Sequence, residues 1–462
     1  MNIAELLPLL MFIALLVGIL IGFPVAFTIG GVAISFGCIG YCMDLFKLQD
    51  FSIVPGKVFG FIANVNLMSV PLFAFMGIML EKSGVAKELL EAMGRLFRGI
   101  KGGLLISVLL VGTVLAATTG IVGATVVTMG VIALPTMLKH NYSKELSCGM
   151  IAASGTLGQI IPPSIILVLL GDMMQVGIGD IFLGAILPGS LLVLFYGLYV
   201  VILTTIKPQL APKMPTTEDG VAIDNSLFKI LSALFAPVLL VFIVLGSIML
   251  GIATPTEAAS CGAVGTILIT LSKGKFSFSA LKESCFETTK LSAMVFTILI
   301  GAQFFGVVFR GLEGENLVSD FVNHMQFSGP IVILILMAIM FFLGFFLDFL
   351  EICFIVIPIM YPLFLAFKID LLWLSILMAL NLQTSFLTPP FGFALFYLKG
   401  SAPKEIKTSH IYKGAIPFIT IQALVVVIVY FSPWMVTWLP ETINKPKSKQ
   451  TTTINSSSSE SK

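Results

Sequence analysis

The stretches "GTLGQIIPPSI" (155–165) and "LQTSFLTPPFG" (382–392) each place a Pro-Pro pair inside an apolar run. Another proline stands 27 residues ahead of each pair, Pro135 before Pro162 and Pro362 before Pro389. A Pro-Pro pair removes backbone donors and clashes with the preceding turn, so neither run can continue as one helix. In lipid such a break survives only where protein buries it or it lines a cavity. Two breaks at matching places in two halves of an apolar chain point to the binding site of a transporter.

Composition agrees. The 462 residues are 57% hydrophobic and only 11% charged, against about 25% charged in soluble domains, and mean hydropathy is +1.06. Runs of membrane-crossing length recur from end to end, so a polytopic all-α membrane protein is expected. A formal net charge of +2 gives no basic balance to suggest a nucleic-acid partner; the bilayer is the expected surrounding. The six cysteines (38, 42, 148, 261, 285 and 353) are scattered without a CxxC pair and read as packing residues. The start, "MNIAELLPLL", has no basic n-region and reads as a retained span. From about Glu441 the chain turns Lys-, Thr- and Ser-rich, a disordered tail over 441–462.

The rest, 1–440, reads as one membrane unit. Repeat 1 covers about 66–206, scaffold spans about 227–272, and repeat 2 about 289–440. Candidate spans are about 66–80, 146–171, 180–206, 227–250, 255–272, 289–309, 371–398 and 415–440. Residues 4–40, interrupted at Gly22-Phe23-Pro24, fit one long helix or two short ones. Stretches 103–138 and 329–367 are too long for one helix and lack a polar turn for two full crossings. Both read as re-entrant helical hairpins. If the first opens to the cytoplasm, the cytoplasmic loops hold 18 of the 26 Lys and Arg, and the opposite loops only Arg310. That positive-inside bias places the second hairpin on the outer side and inverts the two copies. Residues 84–98 carry Val85, Leu89, Met93 and Phe97 on one face, with Lys87, Glu88, Glu91, Arg95 and Arg98 on the rest. They read as an interfacial helix that carries the first hairpin or as a packed connector, with 276–288 a weaker second case.

Two carboxylates, Asp348 and Glu351, stand alone in "FFLGFFLDFLEICFIVIP". Intramembrane charges need water, an ion or a partner; their spacing also fits a capping box at the returning half of the hairpin. The first hairpin offers Thr118 and Thr119 flanked by Gly120 and Gly123. Small hydroxyls and freed carbonyls there suit a dehydrated Na⁺, or the threonines bond back to their own helix. Beside the breaks stand Ser154, Thr156, Gly158, Gln159 and Ser164 in one copy, and Asn381, Gln383, Thr384, Ser385 and Thr388 in the other. Half-helix N-termini after each break favour an anion, and unwound carbonyls before it favour a cation. Candidates for substrate contact are Thr118, Ser154, Gln159, Ser164, Glu351, Asn381, Thr384 and Ser385. Glu257 reads as the N3 member of a capping box begun by Thr254. No HExxH, GxSxG or Walker A sequence is present and the three histidines fall in loops. An enzyme is therefore not expected, nor a cofactor beyond a coupling ion.

At these residues the chain resembles the large membrane subunit of the tripartite ATP-independent periplasmic (TRAP) transporters, the DctM-like family. The landmarks are "GFPVAF" (22–27), "VPLFAFMG" (70–77), "GTLGQIIPPSI", "GIATPTEAA" (251–259), "FLD" (346–348) and "LTPPFG" (387–392). The resemblance implies an elevator-type secondary carrier of the bacterial inner membrane. A small four-helix membrane subunit and a periplasmic binding protein would work with it, importing an organic acid anion on a Na⁺ gradient. It also implies one ion site at Thr119, Gly158, Ile161 and Pro163, and a second at Gly344, Asp348, Thr388 and Pro390. "ATTGIVGA" at the first tip and "FLEI" after Asp348 depart from the commoner pattern and resemble the branch associated with 2-oxo acids and related organic acids. The alternative is a stand-alone ion-coupled carrier or antiporter of related fold.

Overall fold

The computed structural model describes residues 3–213, 217–218, 221–222, 227–324 and 328–443. Helices account for nearly all of it, and most of their ends fall where proline or a left-handed residue interrupts an apolar run. Residues 4–40 are two helices, α1 (Ile3–Ile21) and α2 (Val25–Cys42), packed on each other. Between them Gly22 has φ +99° and Pro24 is the N-cap of α2, a turn a single helix could not absorb. A helix not expected from the sequence follows, α3 (Ile53–Ile62), leading through a 60° bend into α4 (Ser69–Lys82). Next come α5 (Val85–Leu96) and the first helix pair, α6 (Gly103–Thr119) and α7 (Val122–Lys139). The first broken run forms α8 (Lys144–Thr156), a 3₁₀ turn (Leu157–Gln159) and α9 (Ile165–Met173), followed by the 29-residue α10 (Ile178–Ile206).

The second half continues with α11 (Leu227–Met249), α12 (Pro255–Ser272), the 34-residue α13 (Phe278–Gly311) and α14 (Gly314–His324). Then come the second helix pair, α15 (Gly329–Leu343) and α16 (Phe349–Ala366), and the second broken run, α17 (Leu371–Leu387) and α18 (Phe393–Ser401). The last helices are α19 (Thr408–Phe431) and α20 (Trp434–Ile443). Thr217–Glu218 and Val221–Ala222 form a two-residue antiparallel pair. Among the described helices α2, α7, α10, α13, α16 and α19 are long and apolar enough to cross a membrane. On α10, Leu194, Leu198, Ile202 and Ile206 leave an exposed apolar stripe at four-residue spacing, suited to lipid contact.

Three expectations are corrected. Residues 276–288 form no separate interfacial helix; from Phe278 they are the first turns of α13, because no Gly or Pro interrupts the run. The 415–440 span is two helices, α19 and α20, separated at Ser432-Pro433. Arg98, expected on the polar face of 84–98, is buried. The expected tail reaches helix as far as Ile443 and beyond that lies outside the described residues.

The two broken runs are the most enclosed elements. Every residue from Leu146 to Thr156 and from Trp373 to Leu387 is buried. Small residues allow this. α8 crosses α19 at Gly149 and Gly414, where a Cβ on either would enter backbone of the other helix. Each helix pair also crosses to the other copy: α7 packs on α18, and α16 on α9. Helix α5 lies between α6 and α11, burying Val85, Leu89 and Met93. Its Glu88 meets Lys275 Nζ at 2.9 Å and Lys273 Nζ at 3.1 Å.

Gly414→Leu should cost more than the ~1–3 kcal/mol of ordinary overpacking, since backbone cannot yield as a side chain does, and should lower the unfolding temperature in detergent. Burial pushes the Glu88 carboxyl up, but bonds from Lys275 and Lys273 reverse this and hold it below its ordinary value. Its contribution is therefore complete above the ordinary carboxylate range and is lost as pH falls through the lowered one. Glu88→Gln should loosen α5 by less than about 1 kcal/mol because the pair is partly exposed. Hydrogen exchange in 85–96 should rise modestly, and less so at high salt.

Candidate functional site

In the first copy, α6 ends at Thr119 because Gly120 adopts φ +60° and its N–H closes on Ala116 O at 2.9 Å. A Cβ on Gly120 would stand 3.0 Å from Ile165 N, so the turn lies against the first residue of α9. Gly158, in the 3₁₀ turn before the break, touches the same hairpin: a Cβ there would be 2.9 Å from Ala116 O. From the other side α4 presents Gly77, whose Cβ would meet Thr118 O at 2.7 Å. The expected residues Thr119, Gly158 and the Pro163–Ser164 segment are thus brought together. Ser164 caps α9 without a side-chain bond to it, so the first amides of α9 and its positive dipole end face the turn.

The hydroxyls here divide into two groups. Thr118 Oγ1 donates to Leu115 O at 2.9 Å, and Ser154 Oγ to Ile151 O at 3.1 Å, both inside their own helices. Thr119 Oγ1 instead meets Thr125 Oγ1 at 2.9 Å across the turn. Ser164 Oγ reaches back across the break to Gln159 O at 3.2 Å. The Ile161 side chain packs toward Gly189 of α10, which leaves its backbone as the group available to an ion. Gln159 is fully buried, and neither end of its carboxamide has a partner among the described residues.

In the second copy, α15 ends at Leu343 and the turn 344–347 leads to Asp348, the N-cap of α16. The capping box read from the spacing is present. Asp348 Oδ1 accepts from Phe349 N–H at 2.8 Å, and Glu351 Oε2 accepts from Asp348 N–H at 3.0 Å. Gly344 lies against the Ser385 side chain. Asn381 Nδ2 donates to Met337 O at 2.8 Å, tying α17 to α15. Thr384, Ser385 and Thr388 all donate to carbonyls within α17. Phe346 of the turn and Phe391 of the break place their rings 5.5 Å apart. Both Pro162-Pro163 and Pro389-Pro390 are cis peptide bonds, and Pro390 O accepts from Tyr412 Oη at 2.8 Å.

Each turn therefore sits on the break of its own copy, and the two sites differ in chemistry. The first is a closed nest of hydroxyls, carbonyls and helix amides. Beside the second, Phe346, Phe391 and Tyr397 are exposed, and the ring of Tyr397 packs on Gly123 of α7. Tyr397 lies within electrostatic range of Asp348 and Glu351. Of the eight candidates for substrate contact, Glu351 alone keeps partial exposure; the other seven are buried.

Sequence reasoning missed four participants. Thr125 pairs with Thr119, and Tyr397 bridges the copies. Glu81 on α4 accepts a hydrogen bond from Thr128 Oγ1 of α7. Gln422 on α19 donates to Thr156 Oγ1 at 3.3 Å. A polar residue in an apolar helix was the available signal in each case. Its partner comes from elsewhere in the chain and is invisible to spacing. Glu257 closes the expected capping box with Thr254.

This architecture, paired helical turns seated on paired broken helices, is that of a membrane transporter. Residues 12–435 match the family model of the tripartite ATP-independent periplasmic transporter, DctM component, and the chain belongs to that family. It is 30% identical to the C4-dicarboxylate TRAP transporter large permease protein DctM of Vibrio cholerae, over 95% of this chain and 98% of that protein. With the sialic acid TRAP transporter large permease protein SiaM of the same organism it shares 25% identity, over 91% and 95% of the two chains. In fold it is similar to the YdaH transporter of Alcanivorax borkumensis (TM-score 0.60, 14% identity, 83% of this chain and 88% of that one).

Because Asp348 and Glu351 cap α16 from within the protein, Asp348→Ala should cost about 1 kcal/mol or more, read as a lower unfolding temperature. Asp348→Asn, which can still accept from the same amide, should retain most of that stability.

Proposed function

We propose that this chain is the transport-competent membrane subunit of a TRAP system that imports an organic acid anion on a Na⁺ gradient. The observation that carries the reading is the seating of each hairpin turn on the Pro-Pro break of its own copy. At such a seat, oxygen ligands from a turn and from an unwound helix can surround a dehydrated Na⁺, while the next half-helix offers amides to an anion. In copy one the Thr119–Thr125 hydroxyl pair and the carbonyls around Gly158, Ile161 and Pro163 would hold the ion. In copy two Gly344, Thr388 and Pro390 would do so, with Asp348 and Glu351 supplying compensating negative charge.

The reading of the substrate class is supported by the relatives, whose names record C4-dicarboxylates, sialic acid and 2,3-diketo-L-gulonate. Small 2-oxo acids belong to the same chemical class and are proposed for this chain. The exposed rings of Phe391 and Tyr397 would offer the body of such an acid an apolar and hydroxylated surface. With the positive-inside bias, the two hairpins are proposed to be re-entrant from opposite sides of the bacterial inner membrane. The unit holding them would move as an elevator against the α11–α12 scaffold. The partners are a four-helix membrane subunit and a periplasmic binding protein. A stand-alone carrier is the second reading, favoured only by both seats lying within this one chain.

The test is uptake into proteoliposomes that contain this chain and the four-helix subunit, with the binding protein added outside. A panel of 2-oxo acids and C4-dicarboxylates should accumulate only with an inward Na⁺ gradient and all components present. Full-rate uptake by this chain alone, or uptake indifferent to Na⁺, would overturn the reading. Thr119→Val should raise the half-saturating Na⁺ concentration severalfold and leave binding-protein affinity unchanged.

A further inference from the structure

A single hydroxyl makes a polar link between the two broken runs where they pack on each other. Thr156 stands six residues before Pro162, and Gln383 six residues before Pro389, so they hold equivalent places in the two copies. In the fold they meet: Gln383 Nε2 donates to Thr156 Oγ1 at 3.4 Å. Thr156 Oγ1 also accepts from Gln422 Nε2 at 3.3 Å and donates to Ala153 O at 2.9 Å. One donor and two acceptor sites are the whole capacity of a hydroxyl, so this oxygen is fully used and links α8, α17 and α19. All three side chains are buried, where no bulk water competes for the bonds. Neither Gln383 Oε1 nor Gln422 Oε1 has a hydrogen-bond partner among the described residues, and the buried Tyr196 hydroxyl is the other polar group beside Gln422.

The position of this node gives it a consequence. Two residues beyond Thr156 is Gly158, which rests on Ala116 of the first hairpin; two residues beyond Gln383 is Ser385, which rests on Gly344 of the second. A displacement of either hairpin seat therefore acts on the shared hydroxyl through little more than half a helical turn of rigid backbone. We propose that Thr156, with Gln383, is the positioning pair that couples the two hairpin seats, so that a change at one turn is felt at the other. In the transport reading, on which its functional meaning though not its test depends, this makes ion occupancy at the two seats cooperative. A coupling of this kind is reciprocal.

Hydrogen exchange on the full-length chain in lipid nanodiscs tests it without reference to any ion. Gly120→Ala strains the first turn, because Gly120 has φ +60° and a Cβ there approaches Ile165 N at 3.0 Å. With Thr156 in place, this change should raise exchange in peptides covering 344–348 severalfold. In a Thr156→Val background the same change should leave 344–348 as before, while Thr156→Ser should restore transmission and Gln383→Leu should abolish it. Should Gly120→Ala fail to fold, Thr119→Val, which keeps the side-chain shape and removes only the hydroxyl that bonds Thr125, perturbs the same turn more mildly. Transmission that persists undiminished in Thr156→Val, or that is absent with Thr156 intact, overturns the proposal. Loss of Na⁺ dependence in the uptake assay would overturn the transport reading and leave this result standing.

Discussion

The structure depends on one constraint: a backbone broken inside a membrane must find its partners within the protein. Each Pro-Pro pair strips donors from an apolar helix and exposes carbonyls before it and amides after it. Lipid offers these groups nothing. The response is enclosure. Leu146–Thr156 and Trp373–Leu387 are buried along their whole length, and a helical turn is laid over each break. That covering requires backbone to approach backbone at Gly77, Gly120 and Gly158, and backbone to approach the Ser385 side chain at Gly344.

The same constraint makes the copies interdependent. Each turn covers the break of its own copy, but the arm that follows it packs on the half-helix of the other. Neither half could therefore be removed without uncovering the other's backbone. This interlock places Tyr397 of the second copy on Gly123 of the first. It also brings Thr156 and Gln383 together at equivalent positions.

The copies share a frame and differ in chemistry. The first turn holds neutral hydroxyls, one of them spent on Leu115 O and one shared with Thr125. The second ends in two carboxylates that cap α16 and remain partly exposed. Capping and function are compatible here. The oxygens bonded to Phe349 and Asp348 amides fix the side chains, and fixed side chains are what an ion or substrate site requires.

Much was legible along the chain because it is local. Pro-Pro pairs, the Thr254–Glu257 and Asp348–Glu351 boxes, the helix pairs and the amphipathic α5 rest on spacing of four residues or fewer, or on runs of one character. Where no breaker stood, sequence reading divided what is continuous, as at 276–288, and it could not foresee α3 or the burial of Arg98. Nor could it tell which of the hydroxyls beside the breaks are spent inside their own helices. The sequence by itself thus determined where the backbone must break and that the two breaks correspond, since proline acts on its own neighbours. Only the tertiary structure decided which groups meet at those breaks, because Thr119 with Thr125, Asn381 with Met337, and Thr156 with Gln383 and Gln422 depend on helices crossing where small residues let them.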